Sequence, residues 1–213
     1  MSSLLIAVVL VSVVAAIAVV WRFASSRQSI PCPVWLRWLV ELDNPFTKTN
    51  RAAFIVETLA LSSGMVVLDA GCGPGRVTVP LARSVGPSGR VVALDIQAGM
   101  LARAKSKVEA AGLHNVEFVA AGLGRGTLSS GRFDRAVLVT VLGEIPDREA
   151  ALAELFGALK PGGILAVVEV IADPHFQSRR AVEKLATSVG FRECAFFGHS
   201  LAYVMHFERP NVV

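Results

Sequence analysis

Beyond residue 43, short runs of aliphatic residues alternate along the chain with longer segments whose apolar positions recur at helical spacing. Continuous aliphatic runs are typical of parallel strands covered on both faces, and their alternation with helices indicates an α/β sandwich. The predicted strands are Val66–Asp69, Val91–Asp95, Val116–Val119, Phe133–Val139 and Ile164–Val170. The predicted helices are Ala52–Leu61, Arg76–Val85, Gly99–Ala111, Arg148–Leu159 and Ser178–Val189.

The last part of the chain has a different pattern. Arg192–Phe197 and Leu201–Phe207 are strand-like and are joined by Gly198-His199-Ser200, which predicts a β-hairpin that closes one edge of the sheet. Lys160-Pro161-Gly162-Gly163 predicts a turn before the fifth strand. The expected fold is therefore a doubly wound, Rossmann-like α/β domain with a seven-stranded sheet and an antiparallel last strand.

The first 21 residues form a separate apolar segment. Every residue from Leu4 to Trp21 is apolar except Ser12, and a helix of 18 residues spans roughly 27 Å, close to the hydrocarbon thickness of a bilayer. A cleaved signal peptide is the alternative, because Ala16-Ile17-Ala18 looks like a cleavage site, but no positive charge precedes the apolar run. The arginines that follow the run favour a single transmembrane helix with the rest of the chain on the cytoplasmic side.

Residues 22–43 are interpreted as a juxtamembrane segment. After Pro31-Cys32-Pro33, the stretch Val34–Leu42 places Trp35, Trp38, Leu39 and Leu42 on one helical face. This spacing suits a helix in the membrane interface and equally a helix packed on the globular body. The expected organisation is a transmembrane anchor at 1–21, an interfacial segment at 22–43 and one domain at 44–213.

Composition narrows the class of protein further. Of 213 residues, 53% are hydrophobic and 18% are charged, with a formal net charge of +4, which excludes a disordered chain. No block of lysine and arginine occurs, so nucleic-acid binding is not expected. The three cysteines, Cys32, Cys72 and Cys194, have neither paired nor metal-binding spacing, which favours a reducing compartment and predicts no metal site.

A glycine-rich loop follows the first predicted strand, in Asp69-Ala70-Gly71-Cys72-Gly73-Pro74-Gly75. Glycines let the main chain turn sharply and bring its N–H groups close to a ligand. Asp95 stands twenty residues beyond Gly75 at the end of the second strand, where a carboxylate can accept hydrogen bonds from both ribose hydroxyls of a nucleoside. Loop and carboxylate together predict a nucleoside-cofactor site at the point where the strand order reverses.

This motif resembles the glycine motif of class I S-adenosylmethionine-dependent methyltransferases. The G-x-G-x-x-G spacing of dehydrogenases would need its last glycine at position 76, which is Arg76, and no Tyr-x-x-x-Lys pair accompanies the loop, so a nicotinamide-dependent oxidoreductase fits less well. Further matches to the family run from about Asn44 to Pro210 and include Asp95-Ile96-Gln97, Met100-Leu101, Leu142-Gly143-Glu144-Ile145 and Leu159-Lys160-Pro161-Gly162-Gly163.

The resemblance implies S-adenosyl-L-methionine as the cofactor. The residues that it assigns to cofactor binding are Asp69, Gly71, Cys72, Gly73, Gly75, Asp95, Ile96, Gln97, Met100, Gly122, Leu123 and Thr140. Many members of the family carry an acidic residue after the third strand that binds the adenine amino group, whereas this chain has Ala120-Ala121 there. We therefore expect backbone groups of Gly122 or Leu123 to contact the adenine.

Three side chains are candidates for a catalytic base, because some acceptors must lose a proton before or during methyl transfer. They are Glu144 after the fourth strand, and Asp173 and His175 after the fifth. Each has a structural alternative: a charge at a helix start for Glu144, turn chemistry for Asp173 before its proline, and a surface loop position for His175.

The expected function is that of a membrane-anchored methyltransferase. A catalytic body tethered to a bilayer has access to substrates dissolved in it, so the expected acceptor is lipophilic or membrane-associated: a phospholipid amine, a quinone or a hydrophobic small molecule. The alternative is a membrane-tethered protein that binds S-adenosylmethionine without turnover.

Overall fold

The structure is a computed structural model that describes residues 47–211 without a gap, together with Leu5, Val8, Val9, Ser12, Val13, Glu41 and Asp43. The transmembrane helix expected at 1–21 and the interfacial segment expected at 22–43 thus lie outside the described residues, apart from those single positions. Within the part of the chain that is described, no helix combines the length and apolar character needed to cross a bilayer.

Seven strands in the described region form one sheet with the order β3-β2-β1-β4-β5-β7-β6. All neighbouring pairs from β3 to β5 are parallel, while β7 runs antiparallel to both β5 and β6, so the predicted sheet with its antiparallel last strand is confirmed. The strands are β1 (Val66–Ala70), β2 (Arg90–Asp95), β3 (Val116–Ala120), β4 (Phe133–Val139), β5 (Leu159–Val170), β6 (Arg192–His199) and β7 (Ala202–Glu208).

Helices cover both faces of this sheet. Ile55 and Leu81 pack the first two helices against one face, and Leu101 and Ala104 pack the third against the same face. Leu152 and Val182 pack the last two against the other face. The described helices are α1 (Ala52–Thr58), α2 (Thr78–Val85), α3 (Ala98–Ala110), α4 (Arg148–Ala158) and α5 (Arg179–Ser188), with short 3₁₀ helices at Lys48–Asn50 and Leu142–Glu144. Because β1 pairs with β2 on one side and β4 on the other, the strand order reverses beside the end of β1.

The helix predicted to begin at Arg76 begins two residues later, at Thr78. Gly73 and Gly75 both have left-handed φ angles, of 52° and 80°, so the glycine loop continues as turns instead of entering the helix. The Arg76 guanidinium donates to the carbonyl oxygen and the side-chain oxygen of Asn50, at 2.5 and 3.1 Å. These bonds attach the loop to the segment that precedes α1.

The turn predicted at Lys160–Gly163 is part of β5. Gly162 N–H donates to the carbonyl oxygen of Arg209, and Arg209 N–H donates to that of Gly163, at 2.8 and 2.9 Å, so sheet-like bonding continues through the Pro-Gly-Gly stretch. Likewise, the hairpin turn falls at Ser200 and Leu201, and the predicted turn residues Gly198 and His199 belong to β6.

His206 makes the stability of this fold dependent on pH. Its side chain lies on β7, is 5% exposed, leaves Nε2 without a partner and meets the Phe197 ring edge-on. Burial, with a smaller effect of the Arg135 charge, lowers the pKa of the imidazole from 6.5 to about 4. The unfolded chain therefore binds a proton that the folded chain excludes, and the contribution of His206 to stability is present above pH 6.5 and is lost as the pH falls towards 4.

Between pH 7 and pH 4.5 the unfolding free energy of the wild type should decrease. We expect this decrease to be about 2 kcal/mol smaller in His206→Gln. Urea titrations at the two pH values measure it, and comparing the two pH slopes cancels any constant cost of the substitution. His114→Gln, at an exposed histidine before β3, is the control and should keep the wild-type slope. Equal slopes for all three proteins would show that His206 titrates normally.

Candidate functional site

The glycine loop after β1 is bonded directly to the end of β2. Gly71 and Cys72 N–H groups both donate to the carbonyl oxygen of Leu94, at 2.7 and 2.9 Å. Gly73 N–H donates to Oδ2 of Asp95 at 2.9 Å. The structure therefore brings together the loop and the carboxylate that the sequence predicted as one site.

The three loop glycines meet different surroundings. A Cβ at Gly71 would lie 2.5 Å from the Val141 side chain, and one at Gly75 would lie 2.9 Å from Cβ of Ala104. A Cβ at Gly73 would have no atom within 4 Å. Gly71 and Gly75 are thus required for packing, whereas Gly73 borders open space beside Asp95, where a ligand can approach the main chain.

Asp95 is held by two main-chain bonds at the edge of that space. Its Oδ1 accepts from Gln97 N–H at 2.8 Å, while Oδ2 accepts from Gly73. Burial raises the pKa of this carboxyl, and the backbone N–H bonds oppose the rise. Since each carboxylate oxygen accepts more than one hydrogen bond, both can also bind hydroxyl groups of a ligand.

Asp69 lies beneath the loop and is buried. The Thr78 hydroxyl donates to its Oδ2 at 2.6 Å, which connects the end of β1 to the start of α2. Burial, with a contribution from the nearby Asp95 charge, raises the pKa of Asp69 to about 6, although the bond from Thr78 opposes this. The neighbouring Cys72 is also buried, and burial raises the pKa of its thiol, so the thiol stays uncharged.

Ile96 and Gly122 form an apolar surface on the other side of Asp95. Ile96 is 58% exposed, which is unusual for so large an aliphatic side chain, and its Cδ1 would lie 3.4 Å from a Cβ at Gly122. Leu123 follows Gly122 in the same loop. Met100, also predicted here, is buried at the start of α3, where its N–H donates to the carbonyl oxygen of Gln97.

Glu154 on α4 holds the loop that contains Gly122 and Leu123, and the sequence analysis did not identify it. Its carboxylate accepts from the N–H groups of Gly124, Arg125 and Leu128, at 2.5, 3.1 and 2.9 Å. Burial alone would raise the pKa of Glu154, but these bonds outweigh it and lower the pKa. One acidic residue within the apolar stretch Ala151–Phe156 was the only signal of this role in the sequence.

Thr140 stands at the carboxyl end of β4 with a φ angle of 54°. Its N–H donates to the carbonyl oxygen of Val168 at 2.9 Å, which holds the strained conformation in place. A left-handed conformation at a residue other than glycine costs about 1 kcal/mol or more and is enriched at functional sites. The strain therefore supports the predicted place of Thr140 in the site.

We expect Thr140→Gly to raise the free energy of unfolding by about 0.5 kcal/mol, because relief of strain exceeds the added chain entropy. We also expect it to weaken binding of S-adenosylmethionine several-fold, since the backbone is no longer held in one conformation. Ala60→Gly is the matched control: Ala60 has a φ of 47° just beyond α1, outside the site. Urea unfolding and titration calorimetry should show similar stability gains and a loss of affinity only at position 140.

The three catalytic candidates lie together at the ends of β4 and β5. Nδ1 of His175 is 3.8 Å from Oε1 of Glu144 and 3.8 Å from Oδ1 of Asp173. A Cβ at Gly143 would lie 1.9 Å from the carbonyl oxygen of His175, so the two loops pack directly on each other. The His175 side chain is only 4% exposed, which excludes the surface-loop interpretation.

The structure adds Glu169 to this group. Glu169 is the last residue but one of β5 and is 1% exposed. Its Oε2 accepts from Gln177 N–H at 3.0 Å. Burial raises the pKa of Glu169 to about 8. The bond from Gln177 opposes this rise, whereas the Asp173 and Glu144 carboxylates add to it. The carboxyl is therefore largely protonated at pH 7. A charged residue within the predicted aliphatic strand Ile164–Val170 was a signal for it in the sequence.

Comparison with known proteins agrees with the expected class of domain. Residues 67–163 match the family model described as a methyltransferase domain. The chain is 37% identical over 107 residues to demethylmenaquinone methyltransferase of Lactococcus lactis subsp. lactis (strain IL1403), covering 50% of this chain and 42% of that protein. It is 33% identical over 126 residues to the protein of the same name from Geobacillus stearothermophilus, covering 59% and 54%. The chain thus spans about half the length of these relatives.

Solved structures show the same fold. A SAM-dependent methyltransferase from Aquifex aeolicus superposes with a TM-score of 0.74 at 22% identity, over 83% of this chain and 98% of that chain. A Burkholderia thailandensis 1,6-didemethyltoxoflavin-N1-methyltransferase, solved with S-adenosylhomocysteine, gives a TM-score of 0.60 at 22% identity, over 76% and 77%. These likenesses confirm the methyltransferase-type fold predicted from the sequence.

Proposed function

We propose that this protein is an S-adenosylmethionine-dependent methyltransferase that acts on a lipophilic small molecule of the quinone type. The observation that carries the proposal is the open space at Gly73 beside the Asp95 carboxylate, at the point where the strand order reverses. The methyltransferase-domain match over residues 67–163 and the names of the relatives support it.

The residues around this space fit the parts of the cofactor. The main chain at Gly73 leaves room for the methionine part, and Asp95 suits the ribose hydroxyls. The exposed Ile96 side chain offers an apolar face for adenine, with the backbone of Gly122 and Leu123 beside it. The cofactor supplies a methyl group on a positively charged sulfur, and the chain has to bind it, align the acceptor and exclude water.

The proposed acceptor follows from two observations. The relatives in Lactococcus lactis and Geobacillus stearothermophilus are named for a demethylated menaquinone. Moreover, a mostly buried group of polar residues, Glu144, Asp173, His175 and Glu169, lies near the carboxyl ends of β4 and β5, and it supports an acceptor site there. A quinone-type ring with its oxygens has both the apolar and the polar features that such a site requires.

We further propose that residues 1–21 tether the domain to a membrane with the catalytic body on the cytoplasmic side. The support is the uncharged apolar run from Leu4 to Trp21 and the arginines that follow it. Deleting residues 1–21 should move the protein from the membrane fraction to the soluble fraction after cell lysis. Retention of the shortened chain in membranes would place the attachment elsewhere in the chain.

Two measurements test the proposed activity. Titration calorimetry of the full chain in detergent should show binding of S-adenosylmethionine and of its demethylated product. Mass spectrometry of lipid extracts incubated with the protein and deuteromethyl-labelled cofactor should then reveal a labelled lipophilic product. Binding without any labelled product would support a cofactor-binding protein without turnover, and absence of binding would contradict the proposal.

A further inference from the structure

Two buried side chains near the ends of β4 and β5 carry polar atoms without partners. They are Oε1 of Glu169 and both ring nitrogens of His175. Buried polar atoms in proteins nearly always have hydrogen-bond partners, and an exception at a functional position indicates a group that binds there. Glu169 and His175 are 1% and 5% exposed, so bulk water does not replace the missing partners.

The surrounding residues hold these atoms in place. The Arg148 guanidinium donates to the carbonyl oxygens of Leu142 and Gly143, at 3.2 and 3.1 Å, and so fixes the 3₁₀ helix that carries Glu144. On the other loop, Asp173 Oδ1 accepts from His175 N–H at 2.7 Å.

Gln177 connects His175 to Glu169 and β7. Its side-chain amide donates to the carbonyl oxygen of His175 at 2.7 Å, its N–H donates to Glu169, and the Tyr203 hydroxyl donates to its carbonyl oxygen at 2.6 Å. The polar group is therefore preorganised by main-chain bonds, as a binding site requires.

Resting on the proposed function, we propose that these two side chains bind a hydroxyl group of an aromatic acceptor such as a hydroquinone, that His175 accepts its proton and that Glu169 donates a hydrogen bond to its oxygen. A hydroxyl group is both a donor and an acceptor. An imidazole nitrogen with no partner and a carboxylic acid with a free O–H form the complementary pair.

Two carboxylates lie near the imidazole. Oε1 of Glu144 and Oδ1 of Asp173 are each 3.8 Å from Nδ1 of His175. Because burial raises the pKa of Glu169 to about 8, its carboxyl stays protonated at pH 7 and does not compete for the proton. The facing groups on the other elements are Arg148 on α4, whose charge favours ionisation of Glu169, and the Tyr203 hydroxyl, whose pKa burial raises.

The chemical balance is simple. The O–H bond of the acceptor breaks, its proton moves to the imidazole, and the electron pair stays on the acceptor as a phenolate. Where the oxygen takes the methyl group, that electron pair forms the new bond, and the imidazole later releases its proton to water. Where a ring carbon takes the methyl group, the phenolate pair moves towards the ring and a ring π pair forms the new carbon–carbon bond. This carbon then loses its proton to water, the phenolate forms again, and it takes its own proton back from the imidazole. In both cases the pair of the broken carbon–sulfur bond stays on sulfur. One proton is released overall and no oxidant or reductant is consumed.

The test uses the full chain in detergent with naphthohydroquinone as the acceptor probe. We expect His175→Gln to lower kcat about 100-fold or more, while the affinity for S-adenosylhomocysteine, measured by calorimetry, changes less than about threefold. His175→Asn serves as the second variant, and circular dichroism verifies the fold of each. His114→Gln, at an exposed histidine far from the site, should keep wild-type kcat.

A second set of measurements tests the role of Glu169. Glu169→Met removes the donor and should raise KM for the probe about tenfold. Glu169→Gln keeps a donor in its amide group, so KM should stay within about threefold, and the wild-type decrease in turnover above pH 8, where this carboxyl ionises, should be absent from this variant. Glu109→Gln, at an exposed glutamate on α3, is the control.

The possible results of these measurements distinguish the proposed roles of His175 and Glu169 from the proposed function. A folded His175 variant that binds S-adenosylhomocysteine and retains kcat within threefold overturns the role of His175. Failure of the wild type to bind S-adenosylhomocysteine overturns the proposed function instead. An unchanged KM in a folded Glu169→Met variant, or a wild-type pH profile in Glu169→Gln, overturns the role of Glu169 alone.

Discussion

Replacing Gly73 by valine is expected to lower the affinity for S-adenosylmethionine at least about 100-fold, equivalent to about 2.7 kcal/mol of binding free energy. The branched side chain would occupy the open space beside Asp95, where a Cβ meets no protein atom within 4 Å. Because no protein group is displaced, the fold should persist. Titration calorimetry with S-adenosylmethionine measures the affinity, and circular dichroism with urea unfolding measures the stability.

Gly112→Val is the matched control for that experiment. Gly112 has a left-handed φ of 65°, similar to the 52° of Gly73, and a Cβ there also has no neighbour within 4 Å. Both variants should therefore lose a similar 1–2 kcal/mol, roughly, from placing a branched residue in the left-handed region. If Gly73→Val unfolds while Gly112→Val remains folded, Gly73 is required for folding. If both variants bind the cofactor like the wild type, the cofactor does not bind at Gly73.

The fold was predictable because its signals are local. Short runs rich in valine, isoleucine and leucine mark β1 to β5, and the helices between them have apolar positions at helical spacing. The boundaries were less predictable, since they depend on contacts distant in sequence. The bond of Arg76 to Asn50 and the pairing of Gly162 with Arg209 decide where a helix begins and where a strand continues, and neither has a local pattern.

The contacts of the glycine loop were predicted more completely than those after β4 and β5. Asp95 and the glycine loop follow consecutive strands, so topology alone brings them together. For the loop after β4, the sequence suggested a helix-start charge as an alternative for Glu144. In the structure Asp147 takes that role, since its side chain accepts from Ala150 N–H, and Glu144 lies beside His175.

Burial explains why Glu169 and Glu154 escaped the sequence analysis. The environment of a charged residue inside a strand or an apolar helix depends on which loops fold over it, and that information is not local. The backbone N–H groups that bond to Glu154 lie 26 to 30 positions earlier in the chain. A charged residue that interrupts a continuous apolar run is thus a useful signal of a loop-holding or functional group, because burial without partners would be costly.

Asp95→Asn is expected to weaken binding of S-adenosylhomocysteine about 100-fold, because hydrogen bonds from ligand hydroxyls to a charged group contribute about 1.5–3 kcal/mol each. The substitution keeps the size of the side chain but replaces one acceptor oxygen by a donor NH₂ group. That group cannot accept from Gly73 or Gln97 N–H, both of which donate to Asp95 in the wild type. Part of any loss of affinity will therefore come from a loosened loop.

An analogue of S-adenosylhomocysteine that lacks both ribose hydroxyls separates the two contributions. Loosening of the loop should weaken both ligands equally, whereas loss of the ribose contact should weaken only the ligand that has the hydroxyls. Calorimetry of the wild type and Asp95→Asn with both ligands gives the coupling energy between the carboxylate and the ribose hydroxyls. We expect this energy to be at least about 2 kcal/mol. A coupling energy near zero would mean that Asp95 only holds the glycine loop, and that the ribose is bound by other residues.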